Sequence, residues 1–217
     1  MTNKQATQTQ EKDVLLSFLS NIINYIKAHK KAVLTTVVIL VLAVVLGYAY
    51  AAHVKQVKEA SWAAYYDAQR AIMTNPTDLT PLDTVTNKYP NTNAAQYAQL
   101  LKADMLYQAE NYAQAADIYQ PLLNAKNETL RTVAALSLAA TKQATQDYET
   151  SIKLMTTFIE KNPKSFALPQ AYFTLAMSQE LAGKKEQAVE TYKQILADYT
   201  KSYFGVMAKD RLTDLTK

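Results

Sequence analysis

The chain has 217 residues, a formal charge of +4 and no cysteine. Without cysteine there is no disulfide framework and no acceptor for a lipid anchor. Most of the positive excess precedes residue 53: residues 53–217 hold 18 Lys+Arg and 17 Asp+Glu, which argues against a basic nucleic-acid patch there.

Residues 1–12 open with MTNKQATQTQ and predict a polar, disordered tail. Residues 13–31 predict an amphipathic helix. Val14, Leu15, Phe18, Leu19, Ile22, Ile23 and Ile26 fall on one stripe, with Ser17, Ser20, Asn21 and Asn24 opposite. The stripe is too short to span a bilayer. It predicts a helix lying on the cytoplasmic membrane surface, held down by lysines. Docking to another membrane subunit is the alternative.

Residues 32–52, AVLTTVVILVLAVVLGYAYAA, are 21 consecutive residues without a charge. As a helix they measure about 30 Å, the thickness of a hydrocarbon core. Lys4, Lys12, Lys27, Lys30 and Lys31 precede the segment, against only Glu11 and Asp13. The positive-inside rule therefore predicts a cytoplasmic N-terminus and an extracytoplasmic, periplasmic C-terminal domain. Tyr48 and Tyr50 would sit at the outer interface. The competing reading is a cleaved signal peptide, since Ala49-Tyr50-Ala51 fits a small-x-small site. The long leading tail and long apolar run weigh against it.

Residues 53–217 carry a repeat. YPNT at Pro90, NPKS at Pro163 and YTKS at Thr200 mark a period of 36–37 residues, which predicts stacked helical hairpins. The units are approximately 54–92, 93–127, 128–164 and 165–201, followed by a capping helix at 202–216. One unit carries Tyr172, Leu175, Ala176, Gly183, Ala188, Tyr192 and Ile195. Ala103 and Ala115, Ala139 and Ser151, and Ala176 and Ala188 are each 12 residues apart. Small residues at both positions let the helices of a hairpin approach closely. Tyr119, Met155 and Tyr192 then fill the space between hairpins, and Gly183 ends a helix. From Val54 to Met73 no Gly or Pro interrupts a helix that follows the apolar segment.

These positions resemble the tetratricopeptide repeat. The predicted fold class is all-α: a single transmembrane helix followed by a tetratricopeptide-repeat-like α-solenoid. By the repeat template the first helix of each hairpin lines a concave groove. Tyr97, Leu100, Tyr107, Val133, Leu136, Phe173, Met177 and Leu181 are the candidate partner-binding residues. The alternative is that part of this face packs on neighbouring hairpins. Known repeats that clamp an acidic peptide terminus use basic or amide groups where Leu100, Leu136 and Phe173 stand, so that ligand class is not expected.

No catalytic chemistry is expected. His29 and His53 lack Cys, His or paired carboxylates at ligand spacing, there is no Gly-rich phosphate loop, and no Ser sits in a nucleophile motif. Glu186 and Glu190 are one helical turn apart and read as solvated. No cofactor is predicted. The order of parts, from tail to GYAYAAHVKQVKEASWAAYYDAQRAI to repeats, resembles the YfgM-type ancillary subunits of the SecYEG translocon. That resemblance implies a bacterial inner-membrane protein whose partners are translocon subunits, periplasmic chaperones or exported chains. YPNT and NPKS also resemble repeats of envelope-assembly lipoproteins, which carry a lipidated cysteine that this chain lacks. Two alternatives remain: a scaffold in an envelope-assembly or cell-division complex, and a membrane-anchored regulator acting through its tail.

Overall fold

The structure is a computed structural model that describes residues 3–217, with side chains described from residue 16 onward. The described residues form ten α-helices and no strand. They divide into two compact units, 1–56 and 57–217.

In the first unit, α1 spans Asn3–Ala28 and α2 begins at Lys30. The predicted boundary at residue 13 is absent: helix begins ten residues earlier. Lys4, Gln5, Ala6, Gln8, Gln10, Glu11 and Lys12 are good helix formers, and no Gly or Pro interrupts them. Helix bonds continue past His29, whose N–H donates to the Tyr25 carbonyl at 3.0 Å while its own carbonyl accepts from Val33 at 3.0 Å. Phe18, Leu19, Ile22, Ile23 and Ile26 are exposed. The side chains of Val14 and Leu15 lie outside the described residues. α2 is one helix from Lys30 to Thr74, and its apolar part is long enough to cross a membrane.

The second unit contains the C-terminal part of α2, then α3 (Thr80–Lys88), α4 (Asn93–Gln108), α5 (Tyr112–Leu122), α6 (Glu128–Ala144), α7 (Tyr148–Lys161), α8 (Leu168–Leu181), α9 (Lys185–Tyr199) and α10 (Tyr203–Leu215). The helices stack in consecutive pairs, so the all-α repeat fold is as predicted. Ala103, Ala115, Ala139, Ser151, Ala176 and Ala188 are all fully buried. The Ser151 hydroxyl donates to the Ala139 carbonyl at 3.0 Å, which ties α7 to α6. Each core cluster joins one hairpin to the first helix of the next. Leu100, Tyr119 and Leu138 link α4, α5 and α6; Leu136, Met155 and Leu175 link α6, α7 and α8; Phe173, Tyr192 and Ala208 link α8, α9 and α10. Ala68 and Ile72 of α2 pack with Leu82, Val85 and Ala98 at the start of the stack.

Helix starts are capped by short polar side chains. Thr92, Asn127, Asp147 and Ser202 accept backbone N–H bonds from Ala95, Leu130, Thr150 and Gly205. Inside the hairpins the turns share one geometry. Glu110, Gln146 and Gly183 adopt φ of 61°, 62° and 76°. The next residue in each case, Asn111, Asp147 or Lys184, donates back across the helix end to Leu106, Lys142 or Gln179 at 2.9, 2.8 and 2.8 Å. This satisfies carbonyls that the helix leaves open. At the far end, Gly205 sits against the Tyr199 and Thr200 carbonyls, where a Cβ would collide with backbone.

The same turn made with glycine once and with side chains twice yields a stability prediction. Gln146→Gly should stabilise the full chain in micelles by about 0.5–1 kcal/mol, because the left-handed residue is then unstrained. Gly183→Ala should destabilise it by roughly 1–2 kcal/mol. Urea unfolding followed by circular dichroism measures both; destabilisation by Gln146→Gly would contradict the turn geometry.

Candidate functional site

The pairing of helices defines two faces of the second unit. α4 touches α6, α6 touches α8 and α8 touches α10, whereas α5, α7 and α9 touch only first helices and α10. The first helices thus form one inner row and the second helices an outer one.

The structure divides the predicted groove residues. Leu100, Leu136 and Phe173 are 8%, 8% and 9% exposed and belong to the core clusters. They are packing residues, not the groove lining that the repeat template predicts. Small neighbours, such as Ala103 and Ala139, bring adjacent helices close enough to cover them. Tyr97, Tyr107, Val133 and Met177 are half-buried at the rim of those clusters, and Leu181 is 47% exposed.

At the first-repeat end Tyr97, one of the predicted groove residues, joins an aromatic cluster with Trp62, Tyr65 and Tyr66 of α2. Trp62 stacks on Tyr66 with ring centres 5.9 Å apart, and its centre lies 5.7 Å from Tyr65 and 5.5 Å from Tyr97. Tyr65 also contacts Tyr66 at 5.6 Å and Tyr97 at 6.4 Å. Tyr66 is 54% exposed and presents the cluster to solvent. Burial, followed by the neighbouring Tyr66, Tyr97 and Asp104, raises the Tyr65 phenol above its ordinary value. Only the spacing of Trp62, Tyr65 and Tyr66 on one helix hinted at this grouping.

Next along α4 comes a carboxylate. The Tyr119 hydroxyl donates to Asp104 Oδ1 at 2.5 Å. Desolvation raises the Asp104 carboxyl above the ordinary carboxylate range, partly offset by that hydrogen bond. Burial and then Asp104 push the Tyr119 phenol up. Asp104, Tyr107, Gln108, Tyr119, Ser137 and Ala140 line a cavity of about 270 Å³ between α4 and α6. The next repeat places Met155 where Tyr119 stands. There Gln143 of α6 donates to the Thr174 carbonyl at 3.0 Å and to the Ser178 hydroxyl at 2.8 Å, and Ser178 contacts Ser151 at 2.8 Å. In the last hairpin the Tyr192 hydroxyl donates to Glu180 Oε2 at 3.0 Å, and Arg211 of α10 pairs with the same carboxylate.

A second cleft of about 510 Å³ lies on the outer row, between α5 and α7 over α6. It is open because α5 has 11 residues where α7 has 14 and α9 has 15. Pro121 near the end of α5 limits its length. Among the described residues no group of three or more His, Asp and Glu is placed to hold a metal ion.

Comparison with protein families decides the family. Residues 24–169 match the tetratricopeptide repeat-like domain, and residues 170–202 match the tetratricopeptide repeat. The chain belongs to the tetratricopeptide repeat-like family. The first match includes the apolar segment as well as the repeats through α7. Comparison with curated proteins finds no match. Tetratricopeptide repeats are protein–protein interaction modules, so the repeat domain of this chain is one.

The elevated Asp104 carboxyl gives a pH prediction. Asp104 holds its proton to a higher pH in the folded chain than in the unfolded one. Its stabilising contribution is full below the ordinary carboxylate value and lost as pH rises through the folded-state value. Asp104→Asn carries no charge at any pH. Its melting temperature relative to the native protein should therefore rise as pH goes from acidic to neutral. A difference that is flat or falls with pH would contradict the buried-carboxylate account.

Proposed function

We propose that this chain is a membrane-anchored adaptor whose inner repeat face binds segments of other proteins. The apolar segment at 32–52 holds it in a bilayer, with the N-terminus cytoplasmic and residues 53–217 outside. The absence of charge over 21 residues supports the anchor, and the lysines before it support the orientation. The exposed stripe of Phe18, Leu19, Ile22, Ile23 and Ile26 supports a tail lying on the cytoplasmic membrane surface.

The observation that carries the binding reading is the aromatic cluster of Trp62, Tyr65, Tyr66 and Tyr97, whose Tyr97 lies on α4 two turns before Asp104 of the cavity. Aromatic rings supply large contact area with few rotatable bonds, which is why they anchor interfaces. The more specific assignment is to the YfgM-type translocon subunits, with translocon subunits, periplasmic chaperones or exported chains as partners. Its support is the order of parts and a family match that runs from residue 24 through the apolar segment into the repeats.

Two measurements test this. A reporter active only outside the cytoplasm, fused after Lys217, should be active on an uncleaved chain. A C-terminal domain that resists external protease until membranes are opened would reverse the orientation, and a product starting near Ala52 would replace the anchor with a signal peptide. Tyr66→Glu with Tyr107→Glu should then abolish co-purification of the partners held by the native chain in mild detergent, with helix content and melting temperature retained. Leu100→Glu and Phe173→Glu should instead unfold the repeats, because both side chains are core. Partners retained by the folded Tyr66/Tyr107 variant would exclude the inner face. Partners lost only on changing Phe18 and Ile22 would place recognition in the tail.

A further inference from the structure

α10 repeats the geometry of a first helix. Ser165 and Ser202 stand 37 residues apart, and the same interval aligns Ser137 of α6, Thr174 of α8 and Arg211 of α10. At α10 this position holds a guanidinium. It crosses to Glu180 of α8, whose carboxylate also accepts from Tyr192. At α6 the position holds Ser137, and its short side chain leaves the cavity of about 270 Å³ described above. Tyr119 takes the place of Tyr192 and Asp104 the part of Glu180. None of the ion pairs among the described residues includes Asp104. The α5–α6 junction therefore has the tyrosine and carboxylate of the α9–α10 junction without its cation.

We propose that the Asp104 cavity receives the guanidinium or ammonium group of an arginine or lysine on a partner protein segment. This rests on the reading that the inner face binds protein segments, and names the chemistry one position would select. A half-buried carboxylate with no cation beside it is costly to ionise, and a ligand cation offsets that cost. Tyr119 uses one carboxylate oxygen; the other can accept a charge-assisted bond. Tyr107 and Gln108 also line the cavity, and an aromatic ring and an amide oxygen are both groups that attract a cation. Tyr97 of the aromatic cluster and Asp104 of the cavity stand seven residues apart on α4, two turns along one helix face. Apolar residues next to the basic one would rest on those rings. The class of ligand is thus a segment with one basic residue flanked by apolar ones.

The test uses the full chain in nanodiscs of zwitterionic lipid, with empty nanodiscs as the blank. Short fluorescent peptides, identical except for a central Arg, Lys, Gln or Glu between Leu and Phe residues, are titrated by anisotropy. The Arg and Lys peptides should bind about tenfold tighter than the Gln peptide, and the Glu peptide most weakly. Asp104→Asn keeps an acceptor for Tyr119 and should bring the Arg peptide to the Gln level without changing the Gln peptide. Ser137→Arg, which places an internal guanidinium as α10 does, should also abolish the preference. Equal binding of Arg and Gln peptides to the native protein would overturn the cation site while leaving the inner face as a binding surface. An Arg preference that survives Asp104→Asn would do the same. Failure of all the peptides to bind the folded protein would overturn the inner-face reading and the cation site together.

Discussion

Everything in the repeat domain depends on the close approach of two helices through small side chains. Ala103 meets Ala115, Ala139 meets Ser151 and Ala176 meets Ala188, with no exposed surface at any of the six. Nothing larger fits there, so the bulky residues of each second helix are displaced along the stack. Tyr119, Met155 and Tyr192 go into the junction with the next first helix, where each is buried. That displacement couples one hairpin to the next. It also sets which helices touch: first helices form a continuous row, and second helices stay apart. Such nearest-neighbour coupling makes stability a sum over junctions, and makes the ends of the stack special.

Local chemistry at those junctions then differentiates repeats that share one backbone. The residue displaced into the junction is tyrosine, methionine or tyrosine, and its hydroxyl, when present, needs a partner. At the last junction Glu180 is the partner and Arg211 of the capping helix balances its charge. At the middle junction methionine needs nothing, and Gln143, Ser151 and Ser178 bond to one another and to nearby backbone instead. At the first of the three, Asp104 is the partner and stands without a cation beside an open cavity. The domain is closed at its capped end and chemically unfinished near its start, two turns along α4 from Tyr97 of the aromatic cluster. A surface that recognises other chains has this character: rigid rings and one desolvated charge on fixed helices.

The hairpins were legible in the sequence because the small pairs, the buried aromatics and the proline-marked ends recur at constant spacing. The apolar segment was legible from length alone. The groove was not. A repeat template says which face of a helix a residue occupies, but not how far the next helix covers it. Leu100, Leu136 and Phe173 are therefore core, although their register is that of a groove. The left-handed residues at 110 and 146 were missed because they are Glu and Gln; only Gly183 advertised the turn. Asp104, Glu180 and Arg211 passed as ordinary surface charges, since the contacts that desolvate or pair them come from residues 12 to 31 positions away. The early start of α1 shows that a polar composition rich in Gln, Lys and Glu does not by itself exclude helix.

The central claim, that recognition occurs on the inner row beside Asp104 and the aromatic cluster, is tested most directly by site-specific photo-crosslinking in intact cells. A photoreactive residue is placed singly at Tyr66 or Gln108 on the inner row, at Lys153 or Thr157 in the outer cleft, and at Phe18 in the tail. The account predicts defined protein adducts from Tyr66 and Gln108, reduced when Asp104 is changed to Asn, and none from Lys153 or Thr157. Adducts confined to the outer cleft or to the tail, with the inner row silent, would contradict it.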